Sequence, residues 1–295
     1  MEDRMESEDQ NTEATVSRQL RCLAIGSGKG GVGKTVVSVG LSMALVEMGY
    51  RVLLFDADLG LANVDLQIGV DPVFTLQDVV YGECPLEKAV ISVPDGPDLL
   101  AASSGAREMV SLSEARREIL VDDLIKFSAG YDFLIIDTEA GIGAGAIEFL
   151  QAMPQVHVVV ANEPTSVMDA YSLIKILSGQ NVPPEIRLVI NSVKTEEEGQ
   201  RLAMRLNETM KRFLGRSIET AGIILYDAVV GDAIRARRSV VQFAPQSAPA
   251  IGLRQLAHSV VSSNKARNFG KPVSRNTFGR MAAVGRNDSM PEEQQ

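Results

Sequence analysis

Gly28-Lys-Gly-Gly-Val-Gly-Lys-Thr35 fits the phosphate-binding pattern G-x-x-x-x-G-K-[ST] at every fixed position. Its flanks supply the context that such a match needs. Arg21 to Gly26 is a short apolar run that reads as a buried strand. Val36 to Met48 has helical spacing and ends at Gly49, a C-cap residue. Glycines between a strand and a helix let successive backbone N–H groups turn inward as an anion nest, and the helix N-terminus adds partial positive charge. Gly28, Lys29, Gly30, Gly31, Val32, Gly33, Lys34, Thr35 and Val36 are therefore the expected phosphate contacts of a nucleotide. Lys34 is expected to reach the β- and γ-phosphates, and the Thr35 hydroxyl to ligate Mg²⁺. A flexible loop with a chance lysine is the alternative, and the strand–loop–helix order argues against it.

Outward from this loop, short Val/Ile/Leu-rich runs alternate with longer helical segments, the pattern of a parallel sheet covered on both faces. Strands are expected at Arg51–Asp56, Asp98–Ala102, Tyr131–Asp137, Val156–Ala161, Ile186–Ile190 and Ile218–Leu225. Asp58 to Asp71 reads as loop-rich, with short helices at Leu76–Tyr81 and Leu86–Val90. Longer helices are expected at Ser113–Ala129, Ala144–Ala152, Ser166–Leu177, Glu196–Leu214, Ala228–Arg238 and Pro249–Val261. The fold class is α/β: a P-loop NTPase with a mostly parallel twisted sheet and helices on both faces. Residues 18–262 form the expected P-loop domain. Residues 1–17, with Glu2, Asp3, Glu6, Glu8, Asp9 and Glu13, are expected to be a disordered acidic arm. Residues 263–295 are expected to be a disordered basic tail. A membrane-surface helix there would need a bulky apolar face, and Val273, Phe278, Met281 and Val284 are interrupted by Gly270, Pro272, Gly279 and Gly285.

The chain has 295 residues, 45% hydrophobic and 23% charged, enough for one large α/β domain or two small ones. No apolar run approaches the roughly 20 residues that span a bilayer, and the N-terminus has no apolar signal region. Cys22 and Cys84 make no disulfide framework. The expected location is the cytoplasm. A net charge of −9 argues against broad nucleic-acid binding.

Three carboxylates stand at expected strand ends, where ligands bind in an open α/β sheet. Asp137 closes the Phe133–Ile136 run, as a Walker-B aspartate does, and is expected to hold Mg²⁺ through its water shell. Asp56 and Asp58 follow the second strand, and their separate roles stay open at this level. Each would otherwise be a turn or cap aspartate. Lys29 is a second lysine inside the loop, placed to neutralise charge that develops on a leaving γ-phosphoryl group.

With these residues in view, the chain resembles the MinD/ParA superfamily. Lys29-Gly-Gly-Val-Gly-Lys-Thr35 matches its deviant Walker-A signature, Phe55-Asp-Ala-Asp-Leu-Gly-Leu-Ala-Asn-Val-Asp65 its second motif, and Ile136-Asp-Thr-Glu-Ala-Gly-Ile142 its third. Ala161-Asn-Glu-Pro-Thr-Ser-Val-Met-Asp-Ala-Tyr171, with Leu173-Ile-Lys175, is similar to the flagellar-number regulators of the FlhG (FleN) branch rather than to cell-division MinD.

The resemblance implies an ATP- and Mg²⁺-dependent ATPase, slow without a partner, that forms a sandwich homodimer with ATP. It implies that Lys29 reaches across the interface to the partner's nucleotide. Asp58 would orient the attacking water, and Asp56 and Asp137 would support the metal with Thr35. Asn191 would read the adenine edge, while Leu225 and Asp227 wrap the base. Without the resemblance, Asn191 would read as a strand-ending turn residue. The implied partners are the GTPase FlhF, a flagellar transcription regulator or a basal-body protein, and the inner face of the cell membrane as a peripheral contact. Two positions depart from the pattern. Glu139 stands where relatives usually carry Gly, Ala or Pro; it would either disturb nucleotide affinity or point away to solvent or a partner, and is expected to slow or retune hydrolysis. Asp9-Gln10-Asn11 and Gln19-Leu20-Arg21 only partly match the element that stimulates FlhF.

The competing readings are a ParA-like or MinD-like positioner of another cargo (DNA or the septum) and a nucleotide-binding scaffold with little hydrolysis. The first would need a basic surface; Arg235, Arg237 and Arg238 form only a small cluster.

Overall fold

A computed structural model describes residues 20–58, 63–101 and 122–266. The expected arm (1–17), the basic tail beyond 266 and the stretch 113–121 lie outside the described residues. The strands are β1 (Arg21–Gly26), β2 (Val52–Ala57), β3 (Val90–Ile91), β4 (Asp98–Ala101), β5 (Phe133–Thr138), β6 (Gln155–Ala161), β7 (Glu185–Val193) and β8 (Glu219–Leu225). They form one eight-stranded sheet in the order β3-β4-β2-β5-β1-β6-β7-β8. Every pairing is parallel except that of β3 with β4. Parallel strands put all their carboxyl ends on one edge, so the residues that follow β1, β2, β5 and β7 converge there.

Alternation along each strand divides the core in two. Phe133 and Ile135 of β5 pack on one face with the helices Lys34–Glu47, Val229–Arg235, Val240–Phe243 and Ala248–Ala266. Leu134 and Ile136 pack on the other, with Ala144–Ala152, Pro164–Ser178 and Glu196–Leu214. Burial on both sides explains why the strands are continuous apolar runs. Each fully buried Leu, Ile or Phe contributes roughly 1.5–3 kcal/mol.

Most expected elements occupy their places, and the differences have local causes. The first helix begins at Lys34 rather than Val36, so Lys34 and Thr35 both stand on its first turn. It ends where Gly49, at φ +84°, donates its N–H to the Val46 carbonyl at 2.8 Å. The expected helix Ala228–Arg238 spans only Val229–Arg235, and a further short helix, Val240–Phe243, follows outside the expected bounds. Arg237 adopts φ +53°, and the Ser239 side chain caps the second by accepting from the Val241 N–H. The last helix continues past Val261 to Ala266, its Ser263 hydroxyl donating back to the Ser259 carbonyl at 2.9 Å. Within the loop-rich Asp58–Asp71 stretch lies a short helix, Val64–Ile68. Val90, expected to end a helix, opens the antiparallel edge strand β3; its branched side chain favours that pleated surface.

One buried group gives stability a pH dependence. His157 lies on β6 in register with Arg187 on β7 and is fully buried, and neither ring nitrogen finds a hydrogen-bond partner among the described residues. Burial first, and the Arg187 charge second, push its pKa from 6.5 to about 3. The folded state therefore holds the neutral ring. Its contribution is fully present above pH 6.5 and is lost as the pH falls toward 3. Relative to His157→Leu, the wild type is expected to lose about 2 kcal/mol of stability between pH 7.5 and pH 5, measured by urea unfolding at both values. Groups common to both proteins, Asp56 among them, drop out of this difference. Parallel pH profiles for the two proteins would refute the assignment.

Candidate nucleotide and metal site

The glycine loop emerges from β1 at the carboxyl edge and is fixed from three directions. Gly141 N–H donates to the Ser27 carbonyl at 2.7 Å, the Ser27 hydroxyl donates to the Lys29 carbonyl at 3.0 Å, and Asn191 Nδ2 donates to the Val32 carbonyl at 2.8 Å. Two of its glycines are sterically required. A Cβ on Gly28 would lie 2.3 Å from the backbone carbonyl of Asp169. Gly33 has φ +87°, and a Cβ there would lie 2.3 Å from Asn191 Nδ2. Around Gly30 the same construction meets nothing within 4 Å, so that stretch of the loop is open.

Asp137, at the end of β5, is the centre of the site. Its Oδ1 accepts from Lys34 Nζ at 2.9 Å and from the Ser38 hydroxyl at 2.7 Å; its Oδ2 accepts from the Thr35 hydroxyl at 2.8 Å. Lys34 is only 6% exposed and Asp137 1%, so this is a buried ion pair. Asp56 stands opposite Asp137 in the β2–β5 register. Its carboxylate accepts from the backbone N–H groups of Asp58 at 3.1 Å, Asn63 at 3.2 Å and Val64 at 3.2 Å. Burial, followed by the nearby Asp137 charge, pushes the Asp56 pKa from 3.8 up to about 7, against the N–H bonds and Lys34 that lower it.

The oxygens of Thr35, Asp56 and Asp137 suit a hard cation such as Mg²⁺. Among the described residues no group of three or more His, Cys, Asp or Glu side chains could enclose a metal. The buried Lys34 ammonium, next to a loop that needs glycine at 28 and 33, fits a phosphate group.

The other expected residues fall as follows. Asp58 follows β2, its N–H bound to Asp56. Asn191 is used here to hold the loop. Beside it in the β7–β8 ladder, Leu225 ends β8 and pairs with Val193, while Tyr226 N–H donates to the Val193 carbonyl at 2.7 Å. Asp227 accepts from the Val229 N–H at 2.9 Å, just before the helix Val229–Arg235. Glu139 is exposed beside the end of β5. Lys29 donates to Glu163 Oε2 and Thr165 Oγ1 of the same chain.

Sequence reasoning missed Ser38, Glu163 and Thr165. Ser38 was visible in principle: it lies one helical turn after Lys34 and therefore on the same face.

Against known proteins, a family model described as an AAA domain matches residues 20–183. The chain is 39% identical over 243 residues to the antiactivator FleN of Pseudomonas aeruginosa, covering 82% of this chain and 87% of that protein. It is 32% identical over 243 residues to the flagellum site-determining protein YlxH of Helicobacter pylori, covering 81% of each. The solved septum site-determining protein MinD of Pyrococcus horikoshii, complexed with Mg-ADP, matches with a TM-score of 0.65 at 26% identity, over 84% of this chain and 99% of that one. Loop, buried lysine–aspartate pair, sheet order and these likenesses agree, and the chain belongs to the MinD/ParA-type P-loop ATPase family as a MinD-like member of the kind that includes FleN.

Proposed function

We propose that this protein is an ATP-dependent switch that regulates flagellar number or placement and flagellar gene expression. The observation that carries the switch is the buried Lys34–Asp137 pair, joined by Thr35 and Ser38 at the mouth of the glycine loop. The likeness to an antiactivator and to a flagellum site-determining protein supports the flagellar setting.

In this reading the glycine loop, Lys34 and Thr35 hold the phosphates of ATP, and Thr35, Asp56 and Asp137 support Mg²⁺. Asn191, Leu225 and Asp227 serve the base. Mg²⁺ supplies charge neutralisation between the phosphates. Asp58 orients the attacking water. Lys29 passes to the nucleotide of a second chain, so ATP builds a sandwich homodimer and hydrolysis releases it. Hydrolysis is slow without a partner, since phosphoryl transfer rests on positioning that a partner completes. The dimer and the monomer offer different surfaces, so nucleotide selects among FlhF, a flagellar transcription regulator or a basal-body protein. Among the described residues no helix is long and apolar enough to cross a membrane; contact with the inner membrane face would be peripheral.

Light scattering with ADP, with ATP, and with ATP on the Lys29→Ala variant tests this. The expected result is a dimer with ATP alone, lost in the variant. A monomer under every condition would overturn the switch.

A further inference from the structure

β7 alternates regularly as far as Asn191 and breaks step at the next residue. Ile186, Leu188 and Ile190 face the side of the core that holds the helix Glu196–Leu214. Val189 faces the other side, and alternation places Asn191 with it. Continued regularly, the strand would carry Val193 onto the Asn191 face as well. Instead Val193 is buried with Ile190 on the opposite face, and Ser192 before it is exposed. The ladder shows where the extra residue enters. Asn191 pairs with Ile224 and Val193 with Leu225, two steps along β7 for one along β8. Ser192 adopts φ +59°, a conformation that L side chains rarely take and β-branched ones almost never.

This one insertion serves both of its neighbours. Asn191, 8% exposed, donates through Nδ2 to the Val32 carbonyl at 2.8 Å, hard against Gly33. Val193 fills the space under the Glu196–Leu214 helix, where a Cβ on Gly199 would come within 3.3 Å of its Cγ2. The Val193 carbonyl also accepts from the Tyr226 N–H at 2.7 Å and so holds the segment between Leu225 and Asp227. A strand without the extra residue could satisfy only one of the two, because a one-residue slip moves a side chain to the other face. We propose, resting on the nucleotide-site reading above, that Ser192 is a positioning residue: its left-handed backbone aims Asn191 at the glycine loop while Val193 stays in the core, and so sets the affinity for the nucleoside part of ATP. Bulges beside binding sites re-aim side chains in this way. Ser192 acts through Asn191 and through the Val193–Tyr226 bond, and its own side chain is exposed. What counts at this position is tolerance of positive φ.

Ser192→Thr and Ser192→Gly separate that tolerance from the chemistry of the hydroxyl. Threonine keeps the hydroxyl but is branched at Cβ; glycine loses the hydroxyl but accepts positive φ freely. Each full-length variant is titrated by calorimetry with Mg-ATP and, separately, with inorganic triphosphate. Ser192→Thr is expected to bind Mg-ATP about 5- to 150-fold more weakly, the equivalent of the strain of one residue forced into a sparsely populated backbone region. Inorganic triphosphate is expected to lose less, because Lys34 and Thr35 stand on another element. Ser192→Gly is expected to bind Mg-ATP at least as tightly as the wild type, and Ser192→Val to behave as Ser192→Thr does. Glycine failing together with threonine would overturn the proposal, as would equal affinities across the series or parallel losses for the two ligands. Failure of both branched variants to fold would also count against it, since the bulge would then serve the core rather than the site. Lys34→Ala separates the two levels of inference. If it leaves Mg-ATP affinity unchanged, the nucleotide-site reading fails and the role of Ser192 with it. If Lys34 is needed but Ser192→Thr and Ser192→Gly bind alike, the role of Ser192 alone fails.

Discussion

Asp137→Ala is expected to destabilise the nucleotide-free protein by about 3–5 kcal/mol, the usual result of removing one partner of a buried ion pair. Lys34 would keep its ammonium in a site where it is 6% exposed, with its carboxylate partner at 2.9 Å gone. The Thr35 and Ser38 hydroxyls would lose the same acceptor. Solvent screening, which makes exposed pairs nearly worthless, does not soften the loss here. Saturating Mg-ATP should recover part of the deficit, because phosphate oxygens can take Lys34 where alanine cannot. Urea unfolding of wild type and variant, each with and without Mg-ATP, measures both effects. A loss below about 1 kcal/mol in the nucleotide-free protein would show that water replaces the carboxylate at little cost. The double variant Lys34→Met/Asp137→Leu should be more stable than Asp137→Ala, since removing both charges strands neither.

Gly28→Ala is expected to have the second large effect, and a different one. The new methyl would sit 2.3 Å from the Asp169 carbonyl carbon and oxygen and 2.8 Å from the Ala170 nitrogen. These are backbone atoms inside the Pro164–Ser178 helix, which cannot rotate away as a side chain could. Either the helix or the loop must shift, at a cost of about 1–3 kcal/mol. The loop is the easier to move, and its N–H groups are what ATP would engage. A tenfold loss of affinity is only about 1.4 kcal/mol; calorimetry of ATP binding is therefore expected to show at least that. Gly30→Ala is the control, with nothing within 4 Å of its added carbon. It should keep wild-type stability, and equal melting temperatures for Gly28→Ala and wild type would refute the close approach.

What could be read from the chain alone was what lies close together along it. The glycine loop, its strand and its helix are contiguous, and Asp137 is marked by the apolar run it terminates. Those features needed no knowledge of the third dimension beyond strand polarity. The partners of Lys29 stood 134 and 136 residues away, and only the packing of β1 beside β6 brings them to the loop. Asn191 shows a milder form of the same limit. Its place at the end of β7 was legible, while its bond to the Val32 carbonyl depends on β6 being the strand between. The break at Arg237 was hidden for another reason. Its guanidinium donates to the Val70 carbonyl at 3.0 Å and to Asp71 at 2.6 Å, so tertiary contacts bear on the last residues of a segment whose sequence reads as helix up to Arg238.

The helix that begins at Lys34 is clasped along its length by the last described helix. Leu253 occupies the space that a side chain on Gly40 would need, and Arg254 grips Glu47 through two nitrogens at 2.6 and 2.9 Å. Gly40 thus works as a socket and Arg254 as a bolt, and the two helices behave as one girder. Force or restraint applied along the Ala248–Ala266 helix would travel through packed helix to the turn that carries Lys34 and Thr35.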